Sequence, residues 1–318
     1  MAYALPILHL LKKLEDGGDA VTDDSRPRAA VIVPTRELGE QVSKVFKLFT
    51  HATRLRVRTV LGGTSPEVAK KSLLGKFEVL VATPGRLTRL LDRGLVTFDD
   101  VRVLVFDEAD QMLDQGFLPD AKHIVGECPE GRVMALFSAT VSPTVQQLMT
   151  ALFSGAEVVR TGGSHKTPPS LVTQNRKVID GKRFPLLETV LADRVKGGTM
   201  IFTNTREQCD KLALELKENG YDCVIYRGEM DKVERRTNLR KFREGMIDLL
   251  VSTDVAARGL DVEHVGRVIN YHLPKEMENY IHRVGRTARA GRKGLVINFV
   301  TERDKKLVEQ LDGVRPRK

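Results

Sequence analysis

Apolar residues fall along this chain in short unbroken runs rich in Val, Ile and Leu, set between stretches with helical spacing. The runs of the first half are "AAVIVP" (29–34), "RVRTVLGG" (56–63), "EVLVATP" (78–84), "VRVLVFDEAD" (101–110) and "GRVMALFSAT" (131–140). Those of the second half are "LVTQNRKVI" (171–179), "GTMIFTN" (198–204), "YDCVIYRG" (221–228), "IDLLVSTD" (247–254), "GRVINYH" (266–272) and "GLVINFV" (294–300). Continuous apolar strands alternating with helices predict a parallel sheet covered on both faces. Each half therefore reads as one doubly wound α/β domain, and 318 residues suit about two such domains. Residues 1–160 make the first and 171–318 the second. "TGGSHKTPPS" (161–170), with its glycines and paired prolines, reads as a linker. The acidic "EDGGDAVTDDSRP" (15–27) reads as an exposed connection inside the first domain.

The opening "MAYALPILHLL" puts Leu5, Leu8, Leu11 and Leu14 in helical register, with no Ser, Thr, Asp or Asn ahead of them to cap the first turn. It lacks the basic start and small-residue cleavage site of a signal peptide, and it is too short to cross a bilayer. It reads as a helix without its beginning.

Charge sharpens the picture. Lys plus Arg exceed Asp plus Glu by 51 − 42 = +9. Residues 1–160 hold 20 basic and 20 acidic side chains and residues 161–318 hold 31 and 22, so the whole excess lies in the second half. A polyanionic partner or a solvated basic surface would each account for it. Aromatic residues are 5% of the chain, with no Trp, which, if nucleic acid is the partner, speaks against base stacking and for recognition of its backbone. The three cysteines match no metal spacing and read as reduced thiols of a cytoplasmic protein.

Polar signatures follow directly on the apolar runs: "PTRE", "GG", "TPGR", "DEAD", "SAT", "TNT" and "STDVAARGLD". Ligands of parallel α/β sheets gather at the carboxyl ends of the strands, so these loops predict one composite site shared by the two domains. Asp107 and Glu108 stand at the tip of a strand. Asp107 suits a hard cation such as Mg²⁺, held through its water shell, and Glu108 suits orientation or deprotonation of an attacking water. Helix capping explains one of these acids, not three acids in four residues. Arg283, Arg286 and Arg289, at three-residue intervals, are expected to line one helical face, as phosphate-neutralising cations or as a solvated face. Asp261, after a glycine, suits a ribose hydroxyl or an ordinary turn. "PTRELGEQ" and "TPGRL" offer amides at helix starts that suit phosphate oxygens. Simple initiation, with Thr35 or Thr83 as N-cap and Pro84 in the first turn, explains them equally.

Taken together and in order, "PTRELGEQ", Gly62–Gly63, "TPGRL", "DEAD", "SAT", "IFTNT", "TDVAARGLD" and "HRVGRTAR" make the chain closely resemble the DEAD-box RNA helicases of superfamily 2, from its first residues to about Val300. The resemblance implies two tandem RecA-like doubly wound domains, the first incomplete at its start, and an ATP-dependent RNA helicase that uses ATP and Mg²⁺. By it, Asp107 and Glu108 handle Mg²⁺ and water, and Ser138 and Thr140 link hydrolysis to strand separation. Gly259 and Asp261 contact the nucleotide, Arg286 and Arg289 reach the γ-phosphate, and His282 helps join the domains. Pro34, Thr35, Arg36, Gly63, Thr83, Pro84, Gly85 and Arg86 hold the RNA backbone from the first domain, and Asn204, Arg235 and Thr253 from the second. The implied partners are RNA, bound without sequence reading, and proteins of a larger RNA-processing or ribosome-assembly complex, with no membrane.

Three positions depart from the family pattern: Lys232 where Gln is usual, Gly39 for a common Ala, and Tyr226–Arg227 ahead of Gly228 where His is usual. The P-loop pattern G-x-x-x-x-G-K-[ST] is found nowhere in the 318 residues. In the family "AYALPIL" follows that loop, so the resemblance implies a chain cut at an internal Met, with severely weakened ATP binding and hydrolysis and either a sheet gap or an exposed edge. A non-catalytic RNA clamp or partner-binding module is the alternative, and a DNA helicase of the same superfamily a third.

Overall fold

The computed structural model describes residues 2–63, 65–160, 170–257, 260, 262, 264–288 and 292–314. Gly259, Asp261, Arg289 and residues 161–169 of the linker lie outside them. The chain divides into two compact units, residues 1–160 and 161–318.

The first unit runs α1 (Ala4–Asp16), β1 (Ala29–Ile32), α2 (Arg36–Thr53), β2 (Val57–Val60), α3 (Pro66–Ser72), β3 (Val79–Ala82), α4 (Pro84–Leu91), β4 (Val103–Phe106), α5 (Ala109–Asp114), α6 (Leu118–Gly126), β5 (Val133–Leu136) and α7 (Pro143–Leu152). Its five strands are parallel, in the order β2-β3-β1-β4-β5. Successive residues of a strand point to opposite faces, and both faces are filled. Ala30, Ile32, Leu80, Leu104 and Phe106 pack with α4, α5 and α6, whereas Ala29, Val31, Val79, Val81 and Val105 pack with α1 and α2. That is why these strands carry no polar alternation. The edge strands are the exceptions: β2 carries half-buried Arg58 and Thr59, and β5 leaves Val133 59% exposed.

Helix α1 begins at Tyr3, which makes no side-chain cap, and it buries Ala4, Ile7, Leu8 and Leu11. The acidic connection after it is tied down more than its composition suggests. Arg28, itself buried, bonds Asp19 and Asp100, and Arg26 bonds Asp23 and Asp99.

The second unit runs β6 (Leu171–Lys177), α8 (Phe184–Ala192), β7 (Gly198–Thr203), α9 (Arg206–Glu218), β8 (Cys223–Tyr226), α10 (Lys232–Arg243), β9 (Leu249–Thr253), α11 (Asp254–Ala257), β10 (Val265–Asn270), α12 (Met277–Val284), β11 (Gly294–Val300), a single 3₁₀ turn (Glu302–Asp304) and α13 (Lys305–Val314). Six parallel strands lie in the order β6-β11-β10-β7-β9-β8. Here too the strands divide between two cores. Met200, Phe202, Leu250, Val268 and Val296 face one way, and Ile201, Val251, Ile269, Ile297 and Phe299 the other. The three cysteines are buried thiols, and burial pushes those of Cys128 and Cys209 up to about 12. No helix among the described residues is long and apolar enough to cross a membrane.

Candidate functional site

In the first unit the polar loops leave the carboxyl ends of β1 to β5. After β1 the chain passes buried Pro34 to Thr35, whose extended backbone (φ −126°, ψ 155°) ends the strand. The Thr35 hydroxyl accepts from the Leu38 amide at 3.3 Å and caps α2. Arg36, in the first turn, is exposed and pairs with Glu40 at 2.9 Å. The cap fixes where α2 starts and turns Arg36 outward.

Thr83 departs from the expected capping role. It stands at the N-cap position of α4 with Pro84 in the first turn, but its hydroxyl makes no cap bond. It accepts instead from the Gly62 amide at 2.9 Å. The loops after β2 and β3 are thereby fastened together, with Gly63 turning the chain at φ +78°, a conformation that favours glycine. Gly85 and Arg86, half-buried, continue from this junction. The sequence shows each loop; it does not show this bond.

Strand β4 delivers the acids. One oxygen of Asp107 accepts from the Glu108 amide at 3.0 Å, and the other from the Tyr3 hydroxyl at 2.7 Å. Burial, then the charges of Asp107 and Glu108, raise the Tyr3 phenol far above its ordinary value, so it remains a donor. Glu108 is held in the left-handed region at φ +50°, rare for a non-glycine residue, and half-buried. Both acids are hard oxygen donors at a strand end, the chemistry that suits Mg²⁺ and its waters.

The third acid has a different task. Asp110, buried, accepts from the Thr140 amide at 3.1 Å and from the Thr140 hydroxyl at 2.9 Å. Its own amide donates to the Ser138 hydroxyl at 3.3 Å, which in turn donates to the Thr140 carbonyl at 2.7 Å. The "DEAD" and "SAT" segments are one hydrogen-bonded piece. Sequence reasoning named Ser138 and Thr140 and missed Asp110, although the run of three acids signalled it.

In the second unit the arginines of "HRVGRTAR" require a correction. Helix α12 ends at Val284 and the chain tightens into turns, with the Arg286 amide on the Arg283 carbonyl at 3.1 Å and the Thr287 amide on that of Val284 at 3.2 Å. Arg283 and Arg286 therefore share no helical face. Arg283 is 1% exposed and points inward. It forms a bidentate pair with Asp254 and donates to Asn204 at 2.8 Å, Asn270 at 3.1 Å and the His272 carbonyl at 2.6 Å. Its guanidinium lies over the Phe202 ring.

Arg286 donates to the Leu260 carbonyl at 2.7 Å and the His282 carbonyl at 3.0 Å. This ties the turn after α12 to Leu260. His282 is in the last turn of α12, half-buried. Gly294 lets β11 lie against this turn: a Cβ there would sit 2.6 Å from the Thr287 hydroxyl and 2.7 Å from the Ala288 amide.

Asn204 is exposed at the end of β7. Its amide nitrogen donates to the Leu273 carbonyl at 2.8 Å while its oxygen accepts from Arg283. Thr253 ends β9 and is buried. Arg235, in the first turns of α10, stacks on the Tyr226 ring at 4.7 Å. One of the three departing positions thus supplies the platform for this arginine.

Residues 1–148 match the DEAD/DEAH box helicase family and residues 182–291 the helicase conserved C-terminal domain. The ATP-dependent RNA helicase RhlB of Pasteurella multocida is 35% identical over 296 residues, 92% of this chain and 69% of its own length. The chain belongs to the DEAD-box RNA helicase family. The DEAD-box ATP-dependent RNA helicase CshA of Geobacillus kaustophilus is 35% identical over 295 residues, 93% of this chain, which spans 63% of that relative's length. Among solved structures, Saccharomyces cerevisiae Dbp5 bound to RNA and ADP BeF3 is similar with a TM-score of 0.81 at 27% identity, covering 98% of this chain and 79% of that one. The two parallel sheets are those of a DEAD-box helicase, the fold expected from the apolar runs.

Within that family frame, Tyr3, Asp110 and Arg283 are the residues that hold the motif side chains in place. None contacts its partner through local spacing: the bonds span 104, 30 and up to 79 positions.

Proposed function

We propose that the protein to which this chain belongs is an ATP-dependent RNA helicase that binds the RNA backbone without reading sequence and couples ATP hydrolysis to local strand separation. The single observation that carries this reading is the set of bonds from Asp110 to Ser138 and Thr140 at the carboxyl ends of β4 and β5, three residues after Asp107, whose carboxylate accepts from the Glu108 amide. A rigid link between the acids and the "SAT" segment is what coupling between hydrolysis and RNA grip requires.

Asp107 would hold Mg²⁺ through water, and that ion would screen charge on the phosphates. Glu108 accepts the proton of, or orients, the attacking water, from an αL position at the start of α5 where its side chain makes no cap bond. Arg286 and Arg289 neutralise phosphoryl charge, and Gly259 and Asp261 receive the ribose. His282 assists from the last turn of α12. Pro34, Thr35, Arg36, Gly63, Thr83, Pro84, Gly85 and Arg86 present amides, hydroxyls and cations to the RNA backbone. Asn204, Arg235 and Thr253 do so from the second unit. Proteins of a larger RNA-processing or ribosome-assembly complex are the expected partners, in the cytoplasm.

The test is anisotropy of a labelled single-stranded RNA with the protein to which this chain belongs, with and without ADP-beryllium fluoride, beside a DNA of the same sequence. RNA preference and a gain with nucleotide support the proposal, and Glu108→Gln retains binding while abolishing phosphate release. RNA binding that ignores nucleotide supports the non-catalytic clamp instead. Equal affinity for DNA counts against the RNA assignment.

A further inference from the structure

Helix α10 carries six basic side chains and one acid in twelve residues, Lys232, Arg235, Arg236, Arg240, Lys241 and Arg243 against Glu234. Its inner face explains none of the outer ones. Leu239 and Phe242 are buried, Asn238 bonds the Ile225 carbonyl at 3.0 Å, and Arg235 stacks on Tyr226. Arg236, Arg240 and Arg243 follow one another at spacings of four and three on the exposed flank beside that inner face. Arg236, Arg240 and Lys241 make no ion pair with an acidic side chain among the described residues.

Like charges at i and i+4 weaken a helix by a few tenths of a kcal/mol per pair. The helix stays folded through its inner face and its Asp231 cap, which accepts from the Val233 and Glu234 amides. Arg236 and Arg240 thus add nothing to stability that the structure shows. Its chemistry is that of a track for a polyanion. The row begins one residue after Arg235, and Arg236 to Arg243 span about 10 Å at 1.5 Å per residue.

We propose that the outer face of α10 is an auxiliary RNA track, on which a strand leaving Arg235 continues with its phosphates opposite Arg236, Arg240 and Arg243. This rests on the RNA-binding reading above and extends it beyond the motif loops. The interaction is electrostatic and sequence-independent, so it lengthens the site and steepens its salt dependence. An acidic protein segment is the competing occupant.

The experiment measures binding of a labelled six-nucleotide and a twenty-nucleotide oligo-uridine to the whole chain between 50 and 200 mM salt. It compares wild type, Arg236→Gln/Arg240→Gln, and a control with the same charge loss on α9, Lys211→Gln/Lys217→Gln. Glutamine keeps helix propensity close to that of arginine, and circular dichroism checks the fold of each variant. The α10 variant is expected to bind the long RNA roughly 10-fold more weakly and to lower the salt slope by about 1.4, at roughly 0.7 per lost phosphate contact on a single strand. The short RNA and the α9 control stay near wild type. An unchanged long-RNA affinity and slope, or an equal loss in the α9 control, overturns the track and leaves the acidic-segment occupant. Absence of RNA binding by the wild type is a failure of the RNA-binding reading itself, and is distinguished by that arm.

Discussion

The Tyr3 hydroxyl donates to Asp107 at 2.7 Å, joining the residue before α1 to the end of β4. A hydrogen bond to a charged acceptor contributes about 1.5–3 kcal/mol. Tyr3→Phe is therefore expected to lower the unfolding free energy of the chain by an amount in that range, and Asp107→Asn by a similar amount. A double-mutant cycle read from urea midpoints should give a coupling of at least about 1 kcal/mol. Additive losses would mean that the phenol and the carboxylate act independently.

Arg283 is the centre of the second unit's polar interior. Replacing it with Lys keeps one charge and loses the planar fork that reaches Asp254 with two nitrogens and Asn204 and Asn270 besides. Removing one partner of a buried pair costs about 3–5 kcal/mol, and Asp254 is partly exposed, so Arg283→Lys is expected to cost about 2–4 kcal/mol. Chemical denaturation measures it. A loss under 0.5 kcal/mol, on the scale typical of exposed substitutions, would remove Arg283 from that central position.

Much of this architecture was open to sequence reasoning because its physical signal is local. A strand buried on both faces must be apolar throughout, so β1, β3 and β4 announce themselves, and a polar loop after each marks the ligand-facing end. The role of Arg283 was not open to it. Three-residue spacing suggests a helical face, but α12 stops at Val284, and the partners Asp254, Asn270 and Asn204 lie on α11, β10 and the loop after β7. The same holds for Thr83, whose N-cap position predicts a bond to its own helix and whose actual donor is 21 residues away. One signal was present and unused: Asn175, Asn270 and Asn298 are amides inside strands that are otherwise chiefly apolar or exposed.

His272 follows β10, and burial, then Arg183 and Arg283, lower it to about 4 from its ordinary 6.5. The unfolded chain therefore binds this proton more readily than the folded one. Stability is full above about pH 6.5 and declines as pH falls toward 4, by on the order of 2 kcal/mol. Urea midpoints measured from pH 7.5 to 5 should fall for the wild type and fall less for His272→Gln. Parallel slopes for the two proteins would assign the acid sensitivity elsewhere.

Gly39 stands on α2 directly under Leu61, whose methyl groups occupy the space a Cβ would need. An alanine here would have to displace the end of that leucine side chain. Overpacking costs about 1–3 kcal/mol, against a gain of about 1 kcal/mol from alanine's helix propensity. Gly39→Ala is expected to lower the melting temperature, and Leu61→Val in the same chain to recover part of the loss. A Gly39→Ala variant that melts higher than wild type would show that Leu61 moves aside without cost.

Asn270 donates to Asn298 at 2.8 Å and Asn298 to Asn175 at 2.9 Å, three residues in register across β10, β11 and β6. An amide can face either way, and a row of amides alone could run in either sense. A guanidinium only donates, and Arg283 supplies the Asn270 oxygen. One side chain that cannot accept therefore sets the polarity of every link out to the far margin of the sheet. Without it the row would have two equivalent directions and no reason to choose.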